Sequence, residues 1–276
     1  MSRLIFSMPI KILIALLLFF PLSSFSAENP LARRDGLNIR LVPENPESLF
    51  GAITVEVSEK RGALNLEWAT QYREEIQNTP VTGSSPWPSY RVRLLRGVIR
   101  AEKEGPLVFP PLWKTGFVSL EHAGLLWAPH EIARHPSGEF VIDPGFLSPE
   151  TDLLSQGEGV ASHMNDFRQM ALSLLSPEKP PGAEKKKIGD FLESLGRVRI
   201  KEKSAAPLVV NEEKVDVPVL IAGNSFLEYT ILDFPENPLI LKLMLDPQKV
   251  PAIFKNFFDY FKLALEYRVT QIQTMN

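Results

Sequence analysis

The chain has 276 residues, with 30 lysines and arginines against 33 aspartates and glutamates, four histidines and no cysteine. A net charge of −3 argues against general affinity for nucleic acid or an anionic surface, which would need the opposite sign. The lack of cysteine excludes disulfide staples, thiol chemistry and lipid attachment at a leader's cleavage cysteine.

The first element in chain order is a leader. Arg3 and Lys11 precede an apolar core, Ile12–Phe20, and Pro21 to Ala27 forms a small-residue exit. A positive start, a short apolar region and a small-residue exit describe a secretory signal. The apolar run falls short of the roughly 20 residues that span a bilayer. Cleavage after Ser26 puts Ser24 and Ser26 at the positions that prefer small side chains, with cleavage after Ala27 as the near alternative. The expectation is residues 1–26 as a signal peptide and 27–276 as one β-rich exported domain, periplasmic or secreted from a bacterium. Loss of Arg3 and Lys11 takes the net charge from −3 to −5. A mature chain of about 250 residues buries about three quarters of its unfolded surface, enough to be stable through its core alone.

Strands come next. Residues 37–42, 53–57 and 63–68 alternate apolar and polar, with Gly51 and Gly62 as punctuation, as half-buried antiparallel strands do. A proline-rich surface segment, Pro80 to Pro88, leads into the strand 90–101, where Gly97 reads as a bulge or bend. Short apolar pieces follow at 108–113, 116–129 and 138–142. Phe167, Met170, Ala171 and Leu174 share one helical face, as do Ile188, Phe191, Leu192 and Leu195, with Gly196 placed as a C-terminal cap. Between these helices, 176–187 is a linker candidate, read as a long surface loop inside one domain.

Strands return at 197–201, 214–221, 226–232 and 239–245. The turn Asp233 to Pro238 between the last two reads as the joint of a buried hairpin near the middle of a sheet. Its tetrapeptide Pro-Glu-Asn-Pro, 235–238, also stands at 43–46. Phe254, Phe257, Phe258 and Phe261 fall on one helical face just after Pro251, and 263–273 reads as a closing strand. Many strands and a few helices without βαβ alternation define the expected class: α+β, a mainly antiparallel, curved β-sheet with a few covering helices.

Motifs for chemistry are sparse. His130 and His135 stand five apart, whereas two zinc ligands on one helical face stand four apart. No metal site and no cofactor is expected. No Gly-x-Ser-x-Gly elbow occurs; Ser84, Ser85 and Ser162 beside His163 are mild suggestions of a serine nucleophile. The acidic pairs Glu150/Asp152 and Glu212/Glu213 sit in polar turns, where such charges are usually solvated. No catalytic residue is assigned.

Two features carry a ligand reading beside a structural one. Arg91 and Arg93 in one strand, and Arg197, Arg199, Lys201 and Lys203 in another, each form a one-sided basic ladder. They are either a patch for an anionic lipid, glycan or envelope protein, or the solvent face of an exposed strand. The face Phe254, Phe257, Phe258 and Phe261 is either core or the lining of an apolar cavity. The leading expectation is a non-enzymatic periplasmic binding or envelope-assembly protein of unknown ligand, with no nucleic acid partner and no membrane span after the leader. A hydrolase of an envelope polymer and a purely structural exported protein are the alternatives.

Overall fold

Leu37, Ile39 and Leu41 alternate with Asn38 and Arg40, and in the computed structural model this run is strand β1 (Leu37–Pro43), its three apolar side chains buried. The structure describes residues 29–46, 48, 50–60, 63–76, 89–101, 113, 115–120, 126–134, 139–142, 160–175 and 183–275. The leader, the proline-rich 80–88, Gly62, Ser84, Ser85, His122, His135, Glu150, Asp152 and 176–182 of the linker candidate lie outside the described residues. Residues 183–187 of that candidate belong to a helix instead.

The strands after β1 are β2 (Phe50–Lys60), β3 (Ala63–Ile76), β4 (Ser89–Ala101), β5 (Gly116–Leu120) and β6 (Glu139–Val141). A second set follows: β7 (Arg197–Val210), β8 (Glu213–Gly223), β9 (Leu227–Leu232), β10 (Ile240–Leu245) and β11 (Tyr267–Thr274). Helices are α1 (Glu131–Arg134), α2 (Val160–Leu175), α3 (Ala183–Ser194) and α4 (Lys255–Leu265). The sheet order is β5-β4-β3-β2-β1-β11-β10-β9-β8-β7-β6, mostly antiparallel. The protein is therefore mainly β, with a few helices, in the α+β class.

One apolar face runs across the first half of this sheet. Ile39 lies opposite Val55 and Ile272, Val55 opposite Trp68, and Leu66 opposite Ile99, all buried. The period of two means that one register aligns every inward side chain. β7 also pairs with β11, in parallel, at Val209–Gln271 and Val210–Ile272. This closes a ring of pairings through β7, β8, β9, β10 and β11. Four antiparallel steps leave the fifth strand running with the first, so an odd ring must contain one parallel pair.

The β7–β8 hairpin turns on two residues. Val210 pairs with Glu213, and Asn211 and Glu212 have φ of 49° and 71°. Positive φ at both central positions is the tight turn that matches strand twist, but it strains a glutamate. Asn211 fits, and its side chain also accepts from the Thr274 N–H and donates to Thr274 Oγ1 at the ring closure. Glu212→Gly is expected to raise stability by about 0.5–1 kcal/mol, the left-handed cost less the extra chain entropy of glycine. The midpoint of chemical denaturation checks it.

Three local expectations are corrected. Gly97 is not a bulge: β3 and β4 pair without a break from Leu64–Ala101 to Ile76–Ser89. Gly196 does not cap α3 with a left-handed turn, as its φ is not positive. Asn224, in the β8–β9 turn, donates instead to the Ser194 and Leu195 carbonyls and accepts from the Phe226 and Leu227 N–H groups. The closing strand starts at Tyr267, because α4 continues through the buried Leu265. The 226–245 stretch is a hairpin in the sheet interior, β9 against β10, flanked by β8 and β11.

Candidate functional site

The aromatic face of α4, with Phe254 at its N-terminal cap, is built into the core. Phe254, Phe258 and Phe261 are buried and Phe257 half-buried. All four rings meet Phe167 of α2 at 5.1 to 5.9 Å between centroids, mostly edge to face. Phe191 of α3 adds contacts to Phe226, Phe254 and Phe258. The three helices thus interlock through rings, and Phe226 fastens them to the β8–β9 turn. Glu266, buried after α4, accepts from the Leu245 N–H at 2.7 Å and from Lys262 Nζ at 2.9 Å, which ties the helix end to β10.

Basic residues divide into two sets. On β7, Arg197 pairs with Glu193 and Glu139, Arg199 with Glu139, Lys201 with Glu228 at 2.8 Å and Lys203 with Asp233 at 3.0 Å. Each cation of that ladder faces an acid of the same chain. Arg91 and Arg93 are exposed on a different kind of element. Among the described residues, β2 pairs with β3 as far as Tyr72 and β5 with β4 at Gly97–Ala101. Among those same residues the stretch from Arg73 to Ile76 against Ser89 to Val92 is a ribbon of two strands.

His130 belongs to a clamp at the Pro-Glu-Asn-Pro turn. Its Nδ1 donates to the Pro235 carbonyl at 2.6 Å, and its Nε2 accepts from the Arg34 guanidinium at 2.7 Å. Arg34 Nε donates to the Glu236 carbonyl, and its guanidinium lies over the Trp127 ring, 5.7 Å from the centroid. Asn237 is fully buried; it accepts from Trp127 Nε1 at 2.6 Å and donates to the Leu31 and Arg33 carbonyls. Arg134 bonds Glu236 at 2.7 Å, and this hydrogen bond and charge hold the Glu236 carboxyl below the usual carboxylate range. With a lowered folded-state pKa, that contact is complete at neutral pH and is lost only as pH falls through the lowered value. His163 stacks on Tyr260 at 4.0 Å. Burial raises the Tyr260 phenol, and Tyr72 nearby raises it further.

Exposed large apolar side chains occur on several elements, among them Val141 on β6, Leu172 on α2 and Leu263 on α4, and three of them share one face of β4 and β5. Val92 is 59% exposed, Leu94 56% and Phe117 70%. Alternation along β4 puts Val92, Leu94, Arg96, Val98 and Arg100 on the side away from the buried Ile99 and Ala101. Phe117 pairs with Val98 and Arg73 with Val92, so both share that side. An open groove of about 480 Å³ lies on the same side, lined by Thr54, Glu56, Glu67, Ala69, Arg96 and Val98. Arg91 and Arg93 lie on the opposite side of the same strand.

Sequence reasoning singled out Arg91 and Arg93 but missed Val92, Leu94, Arg96, Arg100 and Phe117. The error runs through Gly97. A bulge there would shift the phase and turn Val92 and Leu94 toward the core with Ile99. Unbroken pairing keeps the phase and leaves them outside.

The class of protein is thus an α+β chain built on a mostly antiparallel sheet, with aromatic helices interlocked and an open sheet face at β3, β4 and β5. Compared with known proteins, the chain matches no family model and is significantly similar to no curated protein and no solved structure.

Proposed function

We propose that this is an exported, non-enzymatic binding or envelope-assembly protein, acting in the bacterial periplasm or outside the cell. The observation that carries this reading is the exposed apolar trio Val92, Leu94 and Phe117 on one face of β4 and β5. Exposed apolar surface concentrated on one face and rimmed by polar side chains is what a binding surface presents, and this concentration is the support for the reading. The polar constellations, by contrast, are engaged within the fold. The β7 ladder meets its own acids, and both ring nitrogens of His130 are bonded to Pro235 and Arg34. This favours a binding protein over a hydrolase. The proposal includes a curved sheet, supported by the pairing of β7 with β11. It also includes removal of residues 1–26, supported by the leader pattern.

Native mass spectrometry of protein taken from the periplasmic fraction tests the reading. The expected polypeptide mass starts at Ala27 or Glu28, with a second species carrying a lipid, glycan or protein ligand. A single ligand-free mass under gentle conditions would overturn the carriage of a bound ligand, and a chain retaining Met1 would overturn export.

A further inference from the structure

The open face of β4 and β5 has a composition that selects among ligands. Three large apolar side chains, Val92, Leu94 and Phe117, project from it, and Arg73, Arg96 and Arg100 stand among them, all exposed. Among the described residues, the ion pairs involve none of these three arginines. The acids on this side are Glu56 on β2 and Glu67 and Glu75 on β3, Glu67 lying opposite Val98 and Glu75 opposite Tyr90, whereas β4 and β5 themselves carry no acid. On a chain of net charge −3, the two strands β4 and β5 are thus basic and free of acids where they project apolar side chains. We infer that the β4–β5 face and the β3–β4 ribbon dock on an anionic lipid surface, Val92, Leu94 and Phe117 entering the acyl boundary and Arg73, Arg96 and Arg100 meeting phosphates.

The physical fit is specific. An interfacial element needs an apolar face that sinks about 5–10 Å below the headgroups and cations that stay at their level. Val92 and Leu94 on β4 and Phe117 on the adjoining β5, all on one side, supply the first. Arginine supplies the second, because its long apolar stem lets the guanidinium rise to the phosphates while the backbone sits lower. On the ribbon, Arg91 and Arg93 occupy the opposite side from Val92 and Leu94, so the strand is amphipathic in the sense required of an element lying in the interface plane. An acidic protein segment would satisfy the arginines but would leave three protruding apolar tips without an apolar counterpart.

Flotation of the full mature chain with lipid vesicles tests this. Binding is expected to phosphatidylcholine vesicles containing phosphatidylglycerol, to fall with rising salt, and to be weak on phosphatidylcholine alone. Val92→Asp with Leu94→Asp is expected to lower the bound fraction about tenfold or more, as charge replaces inserted apolar surface. Arg96→Glu with Arg100→Glu is expected to abolish the preference for phosphatidylglycerol, while Lys214→Glu on β8 leaves binding unchanged.

The absence of cysteine allows a second readout that does not depend on disruptive variants. Leu94→Cys carrying a polarity-sensitive dye is expected to shift to the blue on phosphatidylglycerol vesicles, and Glu212→Cys at the β7–β8 tip to stay unshifted. No shift at position 94, equal binding to neutral vesicles, or crosslinking of position 94 to a protein without vesicle binding would each overturn the inference. It rests on the binding-protein reading, yet the two fail separately. A ligand found by native mass spectrometry without vesicle binding sinks only the lipid surface, and a ligand-free mass together with no vesicle binding sinks both.

Discussion

Phe258→Ala is expected to destabilise the protein by about 3–5 kcal/mol, the range for emptying a core aromatic site. The ring is 0% exposed and touches Phe167, Phe191, Phe226 and Phe261, so its removal opens a cavity among three helices and the β8–β9 turn. These neighbours belong to four segments and cannot all close on the space. Each would lose dispersion contacts as well as cover from water. Phe257→Ala should cost less, about 1–2 kcal/mol, because that ring is half-buried. Lys255→Ala, exposed on the same helix, should stay within about 0.5 kcal/mol. Chemical denaturation of the three variants orders them. A loss below about 1 kcal/mol at Phe258 would mean that the rings surround usable space, and would revive the cavity reading of this helix.

Asn237→Ala is expected to cost about 3–5 kcal/mol although it removes only one amide. The side chain serves three partners at once: Trp127 Nε1 and the carbonyls of Leu31 and Arg33. Each buried polar group left without a partner costs about 1–3 kcal/mol, so the loss comes mainly from the groups stranded. Three segments distant in sequence lose their common anchor, and the Arg34–His130 bond beside it should loosen with them. A double variant, Asn237→Ala with Trp127→Phe, should cost less than the sum of the two single changes, because the stranded indole N–H is gone. Strict additivity in that cycle would show that the Trp127–Asn237 hydrogen bond carries no energy. The equivalent Asn45→Ala in the first Pro-Glu-Asn-Pro should have a smaller effect, since Asn45 is not fully buried.

That contrast shows what a motif by itself conveys. Both tetrapeptides turn the chain at a strand end, and their prolines and asparagines say as much. That the second copy is a buried anchor depends on Leu31, Trp127 and Arg34 arriving from elsewhere. The Arg34–His130 contact spans 96 residues of chain, and no local pattern announces it.

The sequence by itself located most of the strands, the α2, α3 and α4 helices and the burial of most of their apolar positions. It ended β3 at 68 and β7 at 201, because polar residues on both faces follow those points, whereas the strands run on to Ile76 and Val210. Period two and period 3.6 are properties of the backbone, so residues such as Leu37, Ile39 and Leu41, or Phe254, Phe258 and Phe261, declare their inward face before any neighbour is known. It also determined that 226–245 is an interior hairpin, from two apolar runs around one turn. Only the tertiary structure decided which strands adjoin, that β7 closes on β11, and that the β7 cations face Glu139, Glu228 and Asp233. It alone decided the phase across Gly97, and with it the exposure of Val92 and Leu94. Pairing partners are chosen by the free energy of the whole sheet. A period locates a side chain relative to its own strand, and only the register against a neighbour tells whether that side meets protein or water.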